Sequence, residues 1–233
     1  STITENSTPS STRTSDATGN FIVGRNYGTS PLLYGEGCIT EISAWNTELS
    51  ALTVSQLYND GEALDASRHI LSGANLIGYW RNMGDRTWTD LSDNSNNGTP
   101  NSTFDSLILP EGRNDRDIQG FIMNKLRTGG LNQSDSSYFH SWIDLGSTTT
   151  IAAGTAFSIM AWLKPDDLTN NYFIGDSANN YIEIASSTSI RIKASSSGDV
   201  FTVAALTAGQ WIHIALVRKA SDNVTTCYIN GQK

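Results

Sequence analysis

Three tyrosines are the side chains of this sequence best suited to hold a ligand. Tyr27, Tyr34 and Tyr172 lie beside predicted loops. Flat rings near Asn or Asp donors can stack on sugars and hydrogen bond to them, so these three are the predicted ligand-binding residues. Four tryptophans fall inside predicted strands and are expected to pack in the core instead: Trp80, Trp88, Trp162 and Trp211.

An Asn-rich segment, residues 93–98, has part of the pattern of a calcium-binding loop. Asp93 and Asn97 are its candidate ligands, because oxygen-bearing side chains alternate ahead of Gly98. The bidentate acid expected at the twelfth position would be Phe104, so the motif is incomplete. The alternative, which we favour, is an Asx-rich hairpin turn around Asn97 and Gly98.

Residue types used in catalysis are present, but not in catalytic spacing. Glu41 and Glu183 each stand alone in a predicted strand and are expected on a solvated face. Hydrolysis of a glycosidic bond needs two carboxyl groups about 5 to 10 Å apart. His69, His140 and His213 are isolated, with neither zinc-ligand spacing nor a serine elbow. The sequence therefore predicts a protein that is not an enzyme.

Composition restricts the class of partner. The 233 residues are 38% hydrophobic and only 16% charged, with a formal net charge of -8. The 15 Lys and Arg residues are scattered singly and form no basic stripe, so nucleic acid is not expected as a partner. No run approaches the roughly 18 to 20 apolar residues that span a bilayer, so membrane insertion is not expected. The first residues also lack the pattern of a signal peptide.

Short apolar runs separated by turn residues dominate the chain and predict an all-β fold. Residues 181–184 and 189–193 alternate cleanly between apolar and polar side chains, so those strands should have one solvated face. Asn230 and Gly231 form the strongest two-residue hairpin signal in the chain. Cys38 and Cys227 lie in apolar runs, where a buried free thiol is the default interpretation and a disulfide the alternative.

One short helix is predicted. Ser50 is a suitable N-cap, and the helix should end at residues 59–61, where Asn, Asp and Gly follow one another. The predicted apolar side consists of Leu52, Val54, Leu57 and Tyr58.

Several of these runs resemble the laminin-G-like branch of the concanavalin A-like lectin and glucanase superfamily. The runs that resemble the first half of that fold are residues 157–165, 209–218 and 228–231. Those that resemble its second half are residues 21–25, 37–46 and 49–61, and they come first in the chain. The resemblance implies an all-β, concanavalin A-like antiparallel β-sandwich, a jelly roll, with one short helix and its halves in permuted order.

We therefore predict one composite domain over residues 1–233. Residues 1–66 resemble the second half of the fold and residues 67–233 its first half. Two half-sandwiches with open edges would aggregate, so the halves should pair with something. Pairing within one chain is favoured; the alternatives are a window across two neighbouring repeats and subunits that complete each other head to tail.

A middle segment adds a hint about biology. Residues 76–82 and 88–99 resemble opening strands of the same family, and together with residues 117–124 they are similar to virion structural proteins of large marine tailed phages. The resemblance implies a non-enzymatic module on a virion or other extracellular surface. Its role would be assembly or adhesion, with other surface proteins, copies of itself and glycans as partners. The alternative is a carbohydrate-binding or carbohydrate-active module of a secreted bacterial protein.

The same resemblance bears on calcium. No cofactor is required, but family members often carry one calcium at the rim of the sandwich, with a ligand just before the strand that matches residues 181–184. Asn179 and Asn180 stand at that place here, where the family has an aspartate.

Overall fold

β-strands are the main secondary structure of the residues that the structure describes. The computed structural model describes residues 4–5, 20–25, 35, 37–81, 88–100, 121–123, 143–146, 155–177, 180–194, 197–221 and 224–233. The strands are, in chain order, β1 (Thr4–Glu5), β2 (Ile22–Val23), β3 (Gly37–Trp45), β4 (Leu76–Trp80), β5 (Thr99–Pro100), β6 (Phe121–Met123), β7 (Ile143–Asp144), β8 (Phe157–Pro165), β9 (Asn171–Ser177), β10 (Asn180–Ser186), β11 (Ser189–Ala194), β12 (Ser197–Thr202), β13 (Ile212–Arg218) and β14 (Thr225–Ile229). The helical elements are α1 (Ala51–Tyr58), the single turn α2 (Ser72–Asn75) and two 3-10 turns at Asn59–Gly61 and Ala66–Arg68.

The strands form two antiparallel sheets. One has eight strands in the order β1-β12-β11-β10-β9-β2-β7-β5. The other has six, in the order β14-β13-β8-β3-β4, with β6 also pairing with β3. This confirms the predicted concanavalin A-like antiparallel sandwich.

Strands from the early and the late part of the chain pair in the six-stranded sheet. β3 pairs with β8 from Gly37 opposite Pro165 to Trp45 opposite Ser158. Side chains from both ends also share the core between the sheets, where Phe21 and Ile39 belong to the same buried cluster as Leu163. Pairing between the early and late parts of the sequence therefore occurs within one chain. The assignment of residues 1–66 and 67–233 to halves of a family fold stays a prediction.

Helix α1 covers part of the outer face of the six-stranded sheet. Its N-cap is Ser50, whose hydroxyl accepts the backbone N–H of Thr53 at 3.1 Å, and it ends at Asn59 in the left-handed conformation. Both ends agree with the prediction. The apolar side does not, because Leu52 is 69% exposed and Thr53 is buried in its place, beside Val54 and Leu57. The helix is only two turns long, and the N-cap bond to Thr53 sets the side that faces the sheet.

The predicted hairpin turn near the end of the sequence is present. Asn230 and Gly231 both have positive φ, 50° and 72°, as a type I′ turn requires. Ile229 then pairs with Gln232. A Cβ atom at Gly231 would lie only 2.8 Å from Cδ1 of Tyr58, so the turn packs closely on the end of α1.

Two further sequence predictions concern cysteines and membranes. Cys38 and Cys227 are both buried thiols that form no disulfide, which confirms the default interpretation. None of the helices within the described ranges has the length and apolar character that crossing a membrane requires.

Candidate functional site

Polar and aromatic side chains line the outer face of the eight-stranded sheet across β9, β10 and β11. Glu183 lies opposite Tyr172 on β9 and opposite Arg191 on β11. Tyr181 lies two residues before Glu183 and therefore on the same face. The alternate residues of these strands point the other way, into the core between the sheets. We call Tyr172, Tyr181, Glu183 and Arg191 the outer-face patch.

The centre of the outer-face patch is a buried ion pair. Nη1 of Arg191 donates to Oε1 of Glu183 at 2.5 Å. The Glu183 side chain is fully buried, whereas that of Arg191 is 40% exposed. The other carboxylate oxygen, Oε2, is also buried and receives no hydrogen bond of good geometry, although the Tyr172 hydroxyl lies beside the carboxylate as a donor. A buried charged oxygen without a well-formed hydrogen bond is rare, because it has lost its water without full compensation. The patch therefore has one incompletely used acceptor.

Two tyrosine rings flank that acceptor. Tyr172 and Tyr181 meet edge to face, with ring centroids 5.0 Å apart and an angle of 70° between the planes. Burial first, then a hydrogen bond from the Tyr172 hydroxyl to Glu183 and the charge of that carboxylate, raise the pKa of Tyr172. The Tyr172 hydroxyl is therefore neutral and able to donate at pH 7.

The prediction that residues 181–184 have one solvated face is wrong. Tyr181 is 9% exposed and Glu183 is completely buried. The cross-strand neighbours of Glu183 are longer than Glu183 itself, and Arg191 turns back onto the carboxylate. Tyr172, which was expected beside a loop, is the second residue of β9 and 6% exposed, so little of its side chain reaches the surface. Solvent approaches the patch at Arg191.

The predicted calcium loop is organised around a different acid, Asp90. Its Oδ1 accepts the backbone N–H groups of Tyr79 and Ser92, both at 2.9 Å. Its Oδ2 accepts the Ser92 hydroxyl and the Asn96 N–H, also both at 2.9 Å. Asp90 is therefore surrounded by donors, whereas a calcium ion needs converging oxygens.

The two candidate ligands of that loop have other positions. Oδ1 of Asn97 accepts the backbone N–H of Asp90 at 3.0 Å, and Asp93 is exposed. The chain does reverse here, since Trp88 pairs with Gly98, but Gly98 is part of the pairing and the turn lies before it. This geometry favours the Asx-rich turn, displaced from the position predicted around Asn97 and Gly98.

The remaining predicted site residues have partial or no description. Asn180 begins β10 opposite Ser177. Tyr27, Tyr34 and Asn179 lie outside the described residues. Among the described residues, no three His, Cys, Asp or Glu side chains meet in a group that could hold a metal ion. Calcium at Asn179 and Asn180 stays a prediction.

A second glutamate cluster, which the sequence did not indicate, lies on the helix-covered side of the six-stranded sheet. Glu41 has a positive φ of 52°, and the register of β3 against β8 shifts between Thr40 and Ser43. This β-bulge turns the Glu41 side chain toward Tyr79 and Arg81. Tyr79 donates its hydroxyl to Oε2 of Glu41. Nε and Nη2 of Arg81 donate to Oε1 at 2.9 and 2.7 Å.

Both oxygens of Glu41 are therefore occupied. Burial raises the pKa of Glu41, while the hydrogen bond from Tyr79 and the positive charge of Arg81 act against that rise. The prediction that Glu41 lies on a solvated face is wrong, because the residue is 9% exposed.

An aromatic cluster joins α1 to the same sheet. The rings of Tyr58 and Trp162 stack with centroids 5.6 Å apart, and His213 lies 5.3 Å from Trp162 and 5.7 Å from Tyr58. Burial lowers the pKa of His213 to about 4. Its backbone N–H donates to the Asn230 side chain at 2.9 Å, which connects the cluster to the final turn.

Comparison with known proteins shows that part of the chain matches a known family model. Residues 135–233, less than half of the sequence, match a laminin G family model described as the concanavalin A-like lectin/glucanases superfamily. That segment contains β8 to β14 and therefore the whole outer-face patch. No match was found among curated proteins or solved structures.

Proposed function

We propose that this chain is a non-enzymatic module of a virion or other extracellular surface, which takes part in assembly and adhesion and binds glycans weakly through the outer-face patch. The observation that carries the proposal is the buried and incompletely used acceptor of Glu183 between two tyrosines and an arginine. Tyrosine rings supply apolar area to a sugar ring, while carboxylate and guanidinium groups bind its hydroxyls.

Binding is favoured over hydrolysis by the separation of the buried acids. Glu41 and Glu183 lie on opposite outer faces of the sandwich. Two packed sheets are about 10 Å apart, and side chains on their outer faces are farther apart still. A pair of glycosidase carboxyl groups lies at most about 10 Å apart and faces one substrate. Asp90, the third buried acid described above, is engaged by its own loop.

Affinity should be low for two reasons. Tyr172 and Tyr181 expose little of their rings, and Arg191 must move before a hydroxyl can reach Oε2 of Glu183. Each reduces the net binding energy, so we expect dissociation constants in the millimolar to micromolar range.

Glycan-array screening followed by NMR titration of the best glycan would test the binding part. Tyr172→Phe removes one hydroxyl, and Glu183→Gln replaces the carboxylate by an uncharged amide. Both should weaken binding at least roughly threefold. Tyr58→Phe, at the end of the helix that covers the other sheet, is the matched control and should leave binding unchanged. Equal affinities for all four proteins would contradict the assignment of the patch.

The rival function, a carbohydrate-active module of a secreted bacterial protein, has its own signature. Incubation with a polysaccharide panel should release no reducing sugar if the proposal holds, and measurable release would replace it. The virion or surface location is tested by immunogold electron microscopy of purified particles and cells that carry this chain. Label found only in the soluble fraction would argue against that location.

A further inference from the structure

A second surface, on and beside α1, lacks charge. Residues 51–58 and 69–80 contain no Asp, Glu, Lys or Arg. Three of the large apolar side chains that the described residues expose lie here: Leu52 is 69% exposed, Ile70 93% and Leu71 37%. Soluble proteins commonly place charged residues on the solvent side of a surface helix, so this composition needs an explanation. We call the exposed side of α1 together with residues 69–75 the uncharged surface.

Hydrogen bonds hold the two parts of the uncharged surface together. Gln56 lies one turn after Leu52 on the same side of α1. Nε2 of His69 is 3.3 Å from Oε1 of Gln56, and Nδ1 of His69 accepts the backbone N–H of Leu71 at 3.2 Å. The second bond requires an unprotonated Nδ1, so the imidazole is neutral. Burial also lowers the pKa of His69, in agreement with a neutral ring.

Ile70 comes directly after this anchored histidine in the sequence. The His69 ring packs edge-on against Trp45, with centroids 6.2 Å apart, which fixes the loop to the sheet. A rigid backbone thus presents an almost fully exposed isoleucine beside an exposed helix face. The segments next to this apolar centre in the sequence carry exposed charged residues, namely Glu48, Asp60, Glu62 and Arg68. An apolar centre with a charged rim is the usual arrangement of a protein interface.

Charge decides which partner fits. The chain carries 23 acidic and 15 basic residues, a formal net charge of -8, so two copies repel each other overall. Contact through the uncharged surface adds no local repulsion, because two such surfaces can meet without burying any formal charge. A strongly acidic or basic partner would find no complementary charge within the uncharged surface, and an anionic membrane would find no basic residue within it.

We propose that two copies of this chain associate through their uncharged surfaces, with Leu52 and Ile70 at the centre of the contact. This inference deepens the assembly part of the proposed function and rests on it. It does not involve the glycan patch, which lies on the other sheet. Loss of glycan binding and loss of association can therefore be told apart.

Sedimentation velocity of the full chain over a range of concentrations would test the association. We expect a concentration-dependent dimer whose dissociation constant increases at least roughly tenfold in Leu52→Glu and in Ile70→Glu, because each buries a charge at the contact. Val224→Glu changes an exposed apolar residue at the β14 end of the six-stranded sheet and serves as the matched control. Circular dichroism of each variant establishes that it is folded.

Salt provides a second readout. Raising ionic strength from about 0.1 M to about 0.5 M screens charge pairs and should leave this contact unchanged or stronger. A chain that stays monomeric would overturn the proposal and assign the surface to another protein. A dimer that both glutamate variants leave intact, or that salt dissociates, would overturn it as well.

Discussion

Two clusters of glutamate, tyrosine and arginine lie on opposite faces of this sandwich and differ in how the carboxylate is used. Glu41 accepts hydrogen bonds on both oxygens, from Tyr79 and from Arg81. Glu183 has one oxygen paired with Arg191 and the other without a hydrogen bond of good geometry. The same three residue types thus form a closed structural cluster on one sheet and leave an acceptor incompletely used on the other.

The backbone around the two glutamates differs too. Glu41 is held at positive φ in a β-bulge, a conformation that costs a residue with a side chain about 1 kcal/mol or more. Its completed bonds offset that cost. Glu183 is not among the residues with positive φ, and its own strand imposes no such cost. The comparison suggests that Glu41 stabilises the fold, whereas Glu183 is the residue whose bonding a ligand could complete.

The largest effect should follow from removing the closed cluster. Glu41→Ala leaves the Tyr79 hydroxyl and the Arg81 guanidinium without their buried acceptor, and loss of one member of a buried pair costs about 3 to 5 kcal/mol. The free energy of unfolding from urea titration should decrease by that amount. A loss below about 1 kcal/mol would mean that Glu41 contributes no more to folding stability than Glu183 does.

The second largest effect should be a loss of folding stability in acid, caused by His213 on the helix-covered side of the six-stranded sheet. The pKa of His213 is about 4 in the folded protein, against 6.5 for the free side chain. The unfolded chain therefore binds the proton more readily, and folding stability decreases as pH falls from about 6.5 to about 4. The decrease over the whole window is on the order of 3 kcal/mol.

Unfolding measurements at pH 7 and pH 4.5 for the wild type and His213→Phe would check this effect. The phenylalanine keeps an aromatic ring beside Trp162 but cannot be protonated. The pH dependence of the variant should be smaller than that of the wild type, and identical dependences would contradict the assignment of the buried neutral histidine.

The smallest effect should come from the open cluster. Glu183→Gln keeps the size of the side chain and a carbonyl oxygen for Arg191, which is partly exposed and can also bind water. The hydrogen bond from Arg191 is therefore kept and only its charge assistance is lost, so the free energy of unfolding should change by about 1 kcal/mol or less. A loss as large as that of Glu41→Ala would show that Glu183 is a structural residue, and the outer-face patch would lose its support.

Local features of the molecule could be predicted from the sequence. Ser50 and Asn59 mark the ends of α1, and Asn230 with Gly231 makes the final turn, because capping and turn preferences act over a few neighbouring residues. Alternation identified β10 and β11 and the residues that share a face. The side of α1 that packs was predicted wrongly at Leu52, since a two-turn helix offers too few residues to define its apolar side.

Strand register could not be predicted from these local preferences. A two-residue turn at Ser187 and Thr188 would place Glu183 opposite Ile192. The irregularity between Ile184 and Ser186 shifts the pairing, so Glu183 lies opposite Arg191 instead. A bulge of one residue costs little and depends on packing around it, which is why short-range preference does not reveal it.

By itself, the sequence determined the antiparallel all-β architecture, the ends of the helix and the hairpin turn, because each depends on interactions between near neighbours. Only the tertiary structure decided that Glu41 and Glu183 are buried and that their partners are Arg81 and Arg191. The cause is physical. These two carboxylates are buried where an arginine from elsewhere in the chain meets them, and the bulges that set the strand register form when the sheets pack.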